Sequence, residues 1–258
     1  MKITCLAENT TSDPRFLAEH GLSLLIETDG TKLLFDMGQT DLFAENAKKM
    51  DIDLSAVDIA IISHGHYDHG GGLDTFMQIN STAPIYISQY AFEPHYNATG
   101  KYIGLDPTLN INDRLVFTKE KTVIGEGLTL FSCNSAEKKF NTATQGMTVM
   151  ANNKTIPDDF RHEQYLLIEE KDKRVLISGC SHKGILDIAH WFSPDVLIGG
   201  FHFSKLPLDS TLTEYAKLLG SMGISYYTCH CTGTEQFNFM KPHIGSLFYL
   251  STGETVTI

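Results

Sequence analysis

The chain has 258 residues, 42% of them hydrophobic, and a formal net charge of −11 at pH 7. A chain of this size can bury one substantial core, and no linker or low-complexity stretch divides it, so a single domain over residues 1–258 is predicted. The acidic balance argues against nonspecific nucleic-acid binding, which depends on many Lys and Arg contacts to phosphates. No apolar stretch approaches the roughly 20 residues that span a bilayer, so no membrane partner is expected.

Apolar runs predict the elements of the first half of the chain. A turn at Asp29-Gly30, a dipeptide typical of hairpins, joins two of the predicted strands. One strand, at residues 57–62, is apolar along most of its length, as expected when both faces are covered. The predicted strands lie at residues 2–7, 22–28, 32–35 and 57–62, and the predicted helices at residues 41–50 and 73–79.

The pattern is weaker over residues 89–163, which are predicted to form a variable, substrate-facing insertion with strand-like runs only at 114–117 and 128–132. Clear periodicity returns after it. Strands are predicted at residues 165–169, 174–178, 195–198, 224–229 and 247–250, and helices at residues 183–192, 210–222 and 233–240. Strands followed by mixed strands and helices in each half favour two packed sheets flanked by helices, in an α+β or α/β domain.

The five cysteines indicate a reducing environment. Their number is odd and their spacing suggests no disulfide framework. The first residues lack the extended apolar core of a secretion signal. The expected location is therefore the cytoplasm.

The most informative segment is the run of residues 63–72, which follows a predicted strand. Four side chains able to bind a metal, His64, His66, Asp68 and His69, fall within six positions. Alternate residues of an extended chain point the same way, so His64 and His66 share a side. Imidazole nitrogen and carboxylate oxygen are ligands that zinc, iron and manganese accept. We interpret this set, called here the histidine motif, as a metal site rather than a histidine-rich surface loop.

The spacing His-x-His-x-Asp-His resembles the signature of the metallo-β-lactamase superfamily. The resemblance implies a four-layer αββα sandwich and two adjacent divalent ions, with zinc expected first and manganese or iron as alternatives. It implies that His64 and His66 belong to the first metal site, and that Asp68 and His69 belong to the second.

Four further residues have contexts that bear on this resemblance. His230 resembles the last histidine ligand of the superfamily, because it ends a predicted strand before a glycine-containing turn. Cys180 stands where the superfamily usually has the Asp that bridges the two metals, and a buried structural thiol is the alternative. The third histidine of the first site is left open between His182 and His162. His182 is preferred, because the surroundings of His162 lack the usual Gly-His-Thr type of turn; the alternative role of His182 is to donate a hydrogen bond to the substrate.

Several segments narrow the resemblance to one branch, named for 7,8-dihydropterin-6-yl-methyl-4-(β-D-ribofuranosyl)aminobenzene 5′-phosphate synthase. The similarity extends over most of the chain and implies metal chemistry more securely than any one substrate. The segments that carry it are Glu19-His20-Gly21-Leu22-Ser23, Phe35-Asp36-Met37-Gly38-Gln39, Ser178-Gly179-Cys180-Ser181-His182-Lys183-Gly184, Gly199-Gly200-Phe201-His202 and His230-Cys231-Thr232-Gly233.

Three side chains in these segments have open roles. Asp36 is either a carboxylate that orients the metal ligands or an ordinary turn residue. His202 either reaches the pocket and contacts an anionic group or packs in the core. His20 has the same two interpretations, with the core slightly favoured.

The resemblance predicts a binuclear metal-dependent hydrolase or transferase that acts through a metal-bound hydroxide on a small anionic substrate, phosphate-bearing or pterin-like. Asp68 and His202 are the catalytic candidates. One alternative is an iron-dependent oxidoreductase, suggested by the cysteines, although His66 stands where the diiron redox branch has Glu. The other is a non-catalytic metal or ligand sensor. Neither the particular substrate nor the oligomeric state is predicted.

Overall fold

A computed structural model describes residues 1–140, 146–151 and 153–258. The chain forms two compact units. The first comprises Met1–Lys119, Thr144–Gln164 and Ser251–Ile258, and the second comprises Glu120–Ala143 and Tyr165–Leu250. The predicted insertion therefore contributes to both units. The assignment of one domain to residues 1–258 stays a prediction.

Most elements of the described residues match the predicted positions to within one or two residues. The strands are β1 (Lys2–Ala7), β2 (Ser23–Glu27), β3 (Lys32–Phe35), β4 (Ile59–Ile61), β5 (Ile85–Ser88), β6 (His95–Tyr96), β7 (Leu115–Thr118), β8 (Lys121–Gly125), β9 (Leu128–Phe131), β10 (Thr148–Ala151), β11 (Lys154–Pro157), β12 (Tyr165–Glu170), β13 (Lys173–Ile177), β14 (Val196–Gly199), β15 (Ser225–Thr228), β16 (Leu247–Tyr249) and β17 (Thr255–Thr257). The α-helices are α1 (Leu42–Lys49), α2 (Tyr67–Gly70), α3 (Leu73–Ile79), α4 (Ile185–Phe192), α5 (Ser210–Ser221) and α6 (Thr234–Met240).

The first unit is built on a mixed sheet with the strand order β17-β1-β2-β3-β4-β5-β7. Its first strands are antiparallel, whereas β3, β4, β5 and β7 pair in parallel. A small sheet with the order β11-β10-β6 belongs to the same unit. Phe43 of α1 and Phe76 of α3 are fully buried in a core with Leu34, Ala60 and Ile85 of the parallel strands. This packing anchors β4, whose carboxyl end leads into the histidine motif.

The second unit is built on another mixed sheet, with the order β16-β15-β14-β13-β12-β9-β8. The strands β13 to β16 pair in parallel, and β12, β9 and β8 complete the sheet in antiparallel orientation. Ile185, Ile188 and Phe192 of α4 pack in its core with Leu212 and Leu219 of α5. The helix α4 begins two residues later than predicted, because Gly184 takes a φ of 105° and precedes the helix.

The weakly patterned stretch contains strands that its sequence did not predict, notably β8, β10 and β11. Every residue of β11 is exposed, and β8 has no buried residue. Such strands lack the alternation of buried and exposed side chains that makes a strand visible in sequence. Among the described residues, no helix is long and apolar enough to cross a membrane.

Candidate metal centre

The histidine motif is gathered at the carboxyl end of β4 in the first unit. Its three imidazoles are 0–3% exposed and its carboxylate, that of Asp68, is 9% exposed. The ring centroid of His64 lies 4.6 Å from that of His66 and 4.1 Å from that of His69. The structure therefore brings these side chains together, and their donor atoms are the types that zinc, manganese and iron accept. Their role as ligands stays a prediction.

Asp36 lies directly behind the motif. Its carboxylate is fully buried and accepts hydrogen bonds from the backbone N–H and the hydroxyl of Ser63, both at 2.7 Å. The same carboxylate lies 2.7 Å from Nδ1 of His69. Because the carboxylate accepts there, Nδ1 of His69 carries the proton when the ring is neutral, and Nε2 is then the nitrogen that can bind a metal. The contacts favour the interpretation of Asp36 as an orienting carboxylate.

Ser63 extends this orientation to His64. The Ser63 hydroxyl donates to Asp36, so at the 2.8 Å contact with His64 its oxygen accepts from the Nδ1–H of the ring. Nε2 of His64 therefore also keeps its lone pair. One buried carboxylate thus fixes the tautomers of two candidate ligands.

The local charges also suit metal binding. Burial lowers the pKa of His69, but the charges of Asp36 and Asp68 outweigh it and raise the pKa above its usual value. Burial, reinforced by the neighbouring His162, lowers the pKa of His66 well below its usual value. The lowered pKa favours the neutral form of His66 that a metal ligand needs, whereas the raised pKa of His69 means that a proton competes more strongly with a metal there.

His20 lies at the exposed side of the motif. Its side chain is 56% exposed, and its Nε2 lies 3.2 Å from a carboxylate oxygen of Asp68. The exposure contradicts the core interpretation that the sequence slightly favoured. The contact between His20 and Asp68 could not be predicted from the sequence, because the two residues are far apart in the chain and no motif connects them.

His162, the alternative third histidine, is fully buried in the first unit with its ring centroid 5.1 Å from that of His66. Two residues that sequence analysis missed, His95 and Asp158, are buried beside it. These four side chains each offer a possible ligand atom, and those atoms lie within 4.8 Å of one another. No motif marks His95 or Asp158, so only the tertiary structure shows this group.

The second unit holds the other sequence-predicted residues. Cys180 and His230 are buried, and with Cys231 they offer ligand atoms within 4.8 Å of one another. His182 and His202 are partly buried, and their ring centroids are 4.2 Å apart. The assignment of Cys180, His182 and His230 as metal ligands, and of His202 as a catalytic residue, stays a prediction.

Backbone strain marks the same positions. Asp36, Ser181, His202 and His230 all have φ between 48° and 61°, in the left-handed region. Residues other than glycine rarely adopt this conformation, which costs of order 1–3 kcal/mol and recurs at functional sites. Seven other non-glycine residues of the described chain also have positive φ, so this conformation agrees with a functional role for these loops but does not mark it.

Gly65, between the first two histidines of the motif, has no room for a side chain. A Cβ there would lie 2.2 Å from the carbonyl oxygen of Ala91, and a backbone oxygen cannot turn aside as a side chain can. We expect Gly65→Ala to lower the free energy of unfolding by about 1–3 kcal/mol, measured by urea denaturation. Gly245→Ala is the control, since among the described residues no heavy atom beyond its own and its chain neighbours' lies within 4 Å of the added Cβ. Equal stability of the two variants would contradict the expected clash.

The family model of the metallo-beta-lactamase superfamily matches residues 18–222. The chain is 30% identical to the 7,8-dihydropterin-6-methyl-4-(beta-D-ribofuranosyl)-aminobenzene-5'-phosphate synthase of Methanocaldococcus jannaschii, over 93% of this chain and 91% of that protein. An uncharacterized protein of the same organism is 25% identical, over 95% of this chain and 98% of that protein. These matches extend over both compact units.

Solved structures show the same fold. Tm1679, described as a metal-dependent hydrolase of the beta-lactamase superfamily, is 30% identical, with a TM-score of 0.84 over 100% of this chain and 99% of that chain. Zn²⁺-bound PqqB from Methylobacterium extorquens is 11% identical and shares the fold alone, with a TM-score of 0.59 over 100% of both chains. The chain therefore belongs to the metallo-β-lactamase superfamily and has its α+β fold.

Proposed function

We propose that the protein is a metal-dependent hydrolase or transferase that acts on a small anionic substrate, phosphate-bearing or pterin-like. The observation that carries the proposal is the buried histidine motif, in which Ser63 and Asp36 contact the Nδ1 atoms of His64 and His69 and so fix the orientation of both rings. Similarity to Tm1679, a metal-dependent hydrolase, and to a synthase whose name includes a phosphate supports the reaction and substrate class.

The donor set fits divalent metal ions. His64, His66, Asp68 and His69 would hold metal in the first unit, and the proposed occupancy is two ions, zinc first with manganese or iron as alternatives. When bound, such ions supply a Lewis acid that polarises a phosphoryl oxygen and lowers the pKa of water. The second unit offers Cys180, His182 and His230 as its candidate ligands.

Other side chains have proposed roles in binding and proton transfer. Asp68 is the candidate proton acceptor, because its carboxylate is near the surface and lies 3.2 Å from the exposed imidazole of His20. His20 then provides a route for that proton to solvent. His202, partly exposed beside His182, is the candidate to hold an anionic group of the substrate. A small-molecule substrate and a cytoplasmic location remain predictions.

Elemental analysis of protein purified without chelator tests this proposal first. We expect close to two ions of zinc, manganese or iron per chain. We also expect hydrolysis of an aryl phosphate ester that stops after treatment with a chelator and returns when the ion is restored. Absence of metal, with none taken up on titration, would contradict the proposal. Iron accompanied by oxygen consumption would favour the oxidoreductase instead.

A further inference from the structure

A second group of buried histidines adjoins the motif. We call it the His162 cluster; it consists of His66, His95, Asp158 and His162. Each of the four is at most 5% exposed. Three imidazoles and a carboxylate with ligand atoms within 4.8 Å have the composition of a metal cage. Their hydrogen bonds give the cluster a different role.

His162 has no lone pair to give to a metal. The backbone N–H of Gly65 donates to its Nδ1 at 2.9 Å. A backbone N–H can only donate, so Nδ1 must accept, and the proton of the neutral ring is on Nε2. That Nε2 lies 3.4 Å from a carboxylate oxygen of Asp158. The Nδ1 lone pair of His162 is therefore occupied, and the protonated Nε2 faces the Asp158 carboxylate.

Asp158 is engaged as an acceptor on both oxygens. Its Oδ1 accepts the backbone N–H of Phe160 at 2.8 Å, and its Oδ2 lies 2.9 Å from Nδ1 of His95 as well as near His162. Burial alone would raise the pKa of Asp158, but the hydrogen bonds from His162 and His95 outweigh it and hold the pKa well below its usual value. Asp158 is therefore a charged acceptor that sets the direction of the neighbouring hydrogen bonds.

We propose that His162 is a positioning residue that fixes the Gly65 peptide between the first two histidines of the motif, with Asp158 holding His162 in the required tautomer. The inference deepens the proposed function, since the residues it positions are the candidate ligands His64 and His66. It replaces the sequence-based alternative in which His162 is itself a metal ligand.

The hydrogen bond from Gly65 to His162 lies where it can fix the positions of two candidate ligands. Gly65 has no side chain to restrain it, and its neighbours on both sides are candidate ligands. The carbonyl oxygen of Ala91 restricts movement of the Gly65 backbone on one side, because it lies only 2.2 Å from the position that a Cβ of residue 65 would take. The hydrogen bond to His162 restrains the same peptide through its N–H. Loss of such supporting contacts typically weakens metal binding 10- to 100-fold.

Substitution of His162 by Asn or by Gln distinguishes a role in positioning Gly65 from a role as a metal ligand. Asn at position 162 places its oxygen near the site of the imidazole Nδ1 and can still accept from Gly65. Gln places its polar group near the site of Nε2 and cannot. Both fill much of the ring volume, and neither is a usual zinc ligand. His162→Asn and His162→Gln therefore form a matched pair.

The first measurement is hydrogen exchange of the Gly65 amide by NMR, in metal-free protein. We expect His162→Gln to exchange about 10-fold faster than the wild type, the effect of losing one hydrogen bond, and His162→Asn to stay near the wild-type rate. Equal exchange rates in the wild type and both variants would overturn the proposal. Because no metal is present, this result stands even if the proposed function fails.

The second measurement is the zinc dissociation constant, from competition with a chelator. We expect His162→Gln to bind zinc 10- to 100-fold more weakly than the wild type, with the same number of ions at saturation, and His162→Asn to bind near normally. The exposed His243→Ala is the control. Loss of a whole ion in both His162 variants would show that His162 is a ligand and overturn the proposal.

Discussion

Replacing His66 or Asp68 with Ala is expected to reduce kcat/KM on a phosphate-ester substrate by at least about 10³-fold while the fold stays intact. The reason is that a metal ion contributes several kcal/mol of transition-state stabilisation, and about 4 kcal/mol corresponds to a factor of 10³. Both side chains belong to the histidine motif at the end of β4 rather than to the apolar core of the first unit. Turnover should therefore fall much more than stability.

The measurement pairs steady-state kinetics with thermal denaturation of the metal-free variants. His66→Ala removes a buried imidazole whose pKa is already lowered by burial and by His162, so no buried charge is left without compensation. His243→Ala is the matched control, because His243 is exposed and lies outside the described metal-ligand groups. Wild-type turnover in either motif variant would contradict the proposed function.

The histidine motif could be predicted from the sequence because its four residues are close together in the chain. His64, His66, Asp68 and His69 follow one apolar strand within six positions, and strand geometry alone brings alternate residues to one side. Most strands of the two large sheets were predicted for a similar reason, whereas β8 and β17 were not. Where a strand is buried, as in β14, its apolar run is visible, and where it is exposed, as in β11, it is not.

Partners that are distant in sequence could not be predicted in this way. The hydrogen bond from Gly65 to His162 joins residues 97 apart, and no spacing rule connects them. The position of His162, eighteen residues before Cys180, makes it a candidate ligand from the sequence alone. The choice between ligand and positioning residue depends on which nitrogen accepts a hydrogen bond, and only the tertiary contact shows that.

Asp36 shows how sheet topology resolves a choice that the sequence left open. The strands β3 and β4 are parallel, with Phe35 opposite Ile61, so both end at the same edge of the sheet. Asp36 follows one strand and Ser63 follows the other, which places the carboxylate beside the start of the motif. Asp36 and Ser63 are 27 positions apart in the sequence, so no local pattern reveals this contact.

Replacing Asp36 with Asn is expected to weaken both the fold and metal binding. Three donors converge on the two carboxylate oxygens: the N–H and O–H of Ser63 and the Nδ1–H of His69. Asn keeps the shape but offers one oxygen, and its amide group then opposes a donor. Breaking a buried charged contact of this kind costs about 3–5 kcal/mol, and loss of ligand orientation weakens metal binding about 10- to 100-fold.

Urea denaturation of the metal-free protein and zinc titration measure the two effects separately. Asp53→Asn is the matched control, because Asp53 also accepts from a backbone N–H, that of Ser55, but at an exposed position away from the motif. We expect the control to cost about 1 kcal/mol or less and to leave zinc affinity unchanged. Asp36→Asn with wild-type stability and wild-type zinc affinity would show that the buried carboxylate does not orient the motif. Loss of zinc affinity without loss of stability would instead place its whole contribution in the orientation of His64 and His69.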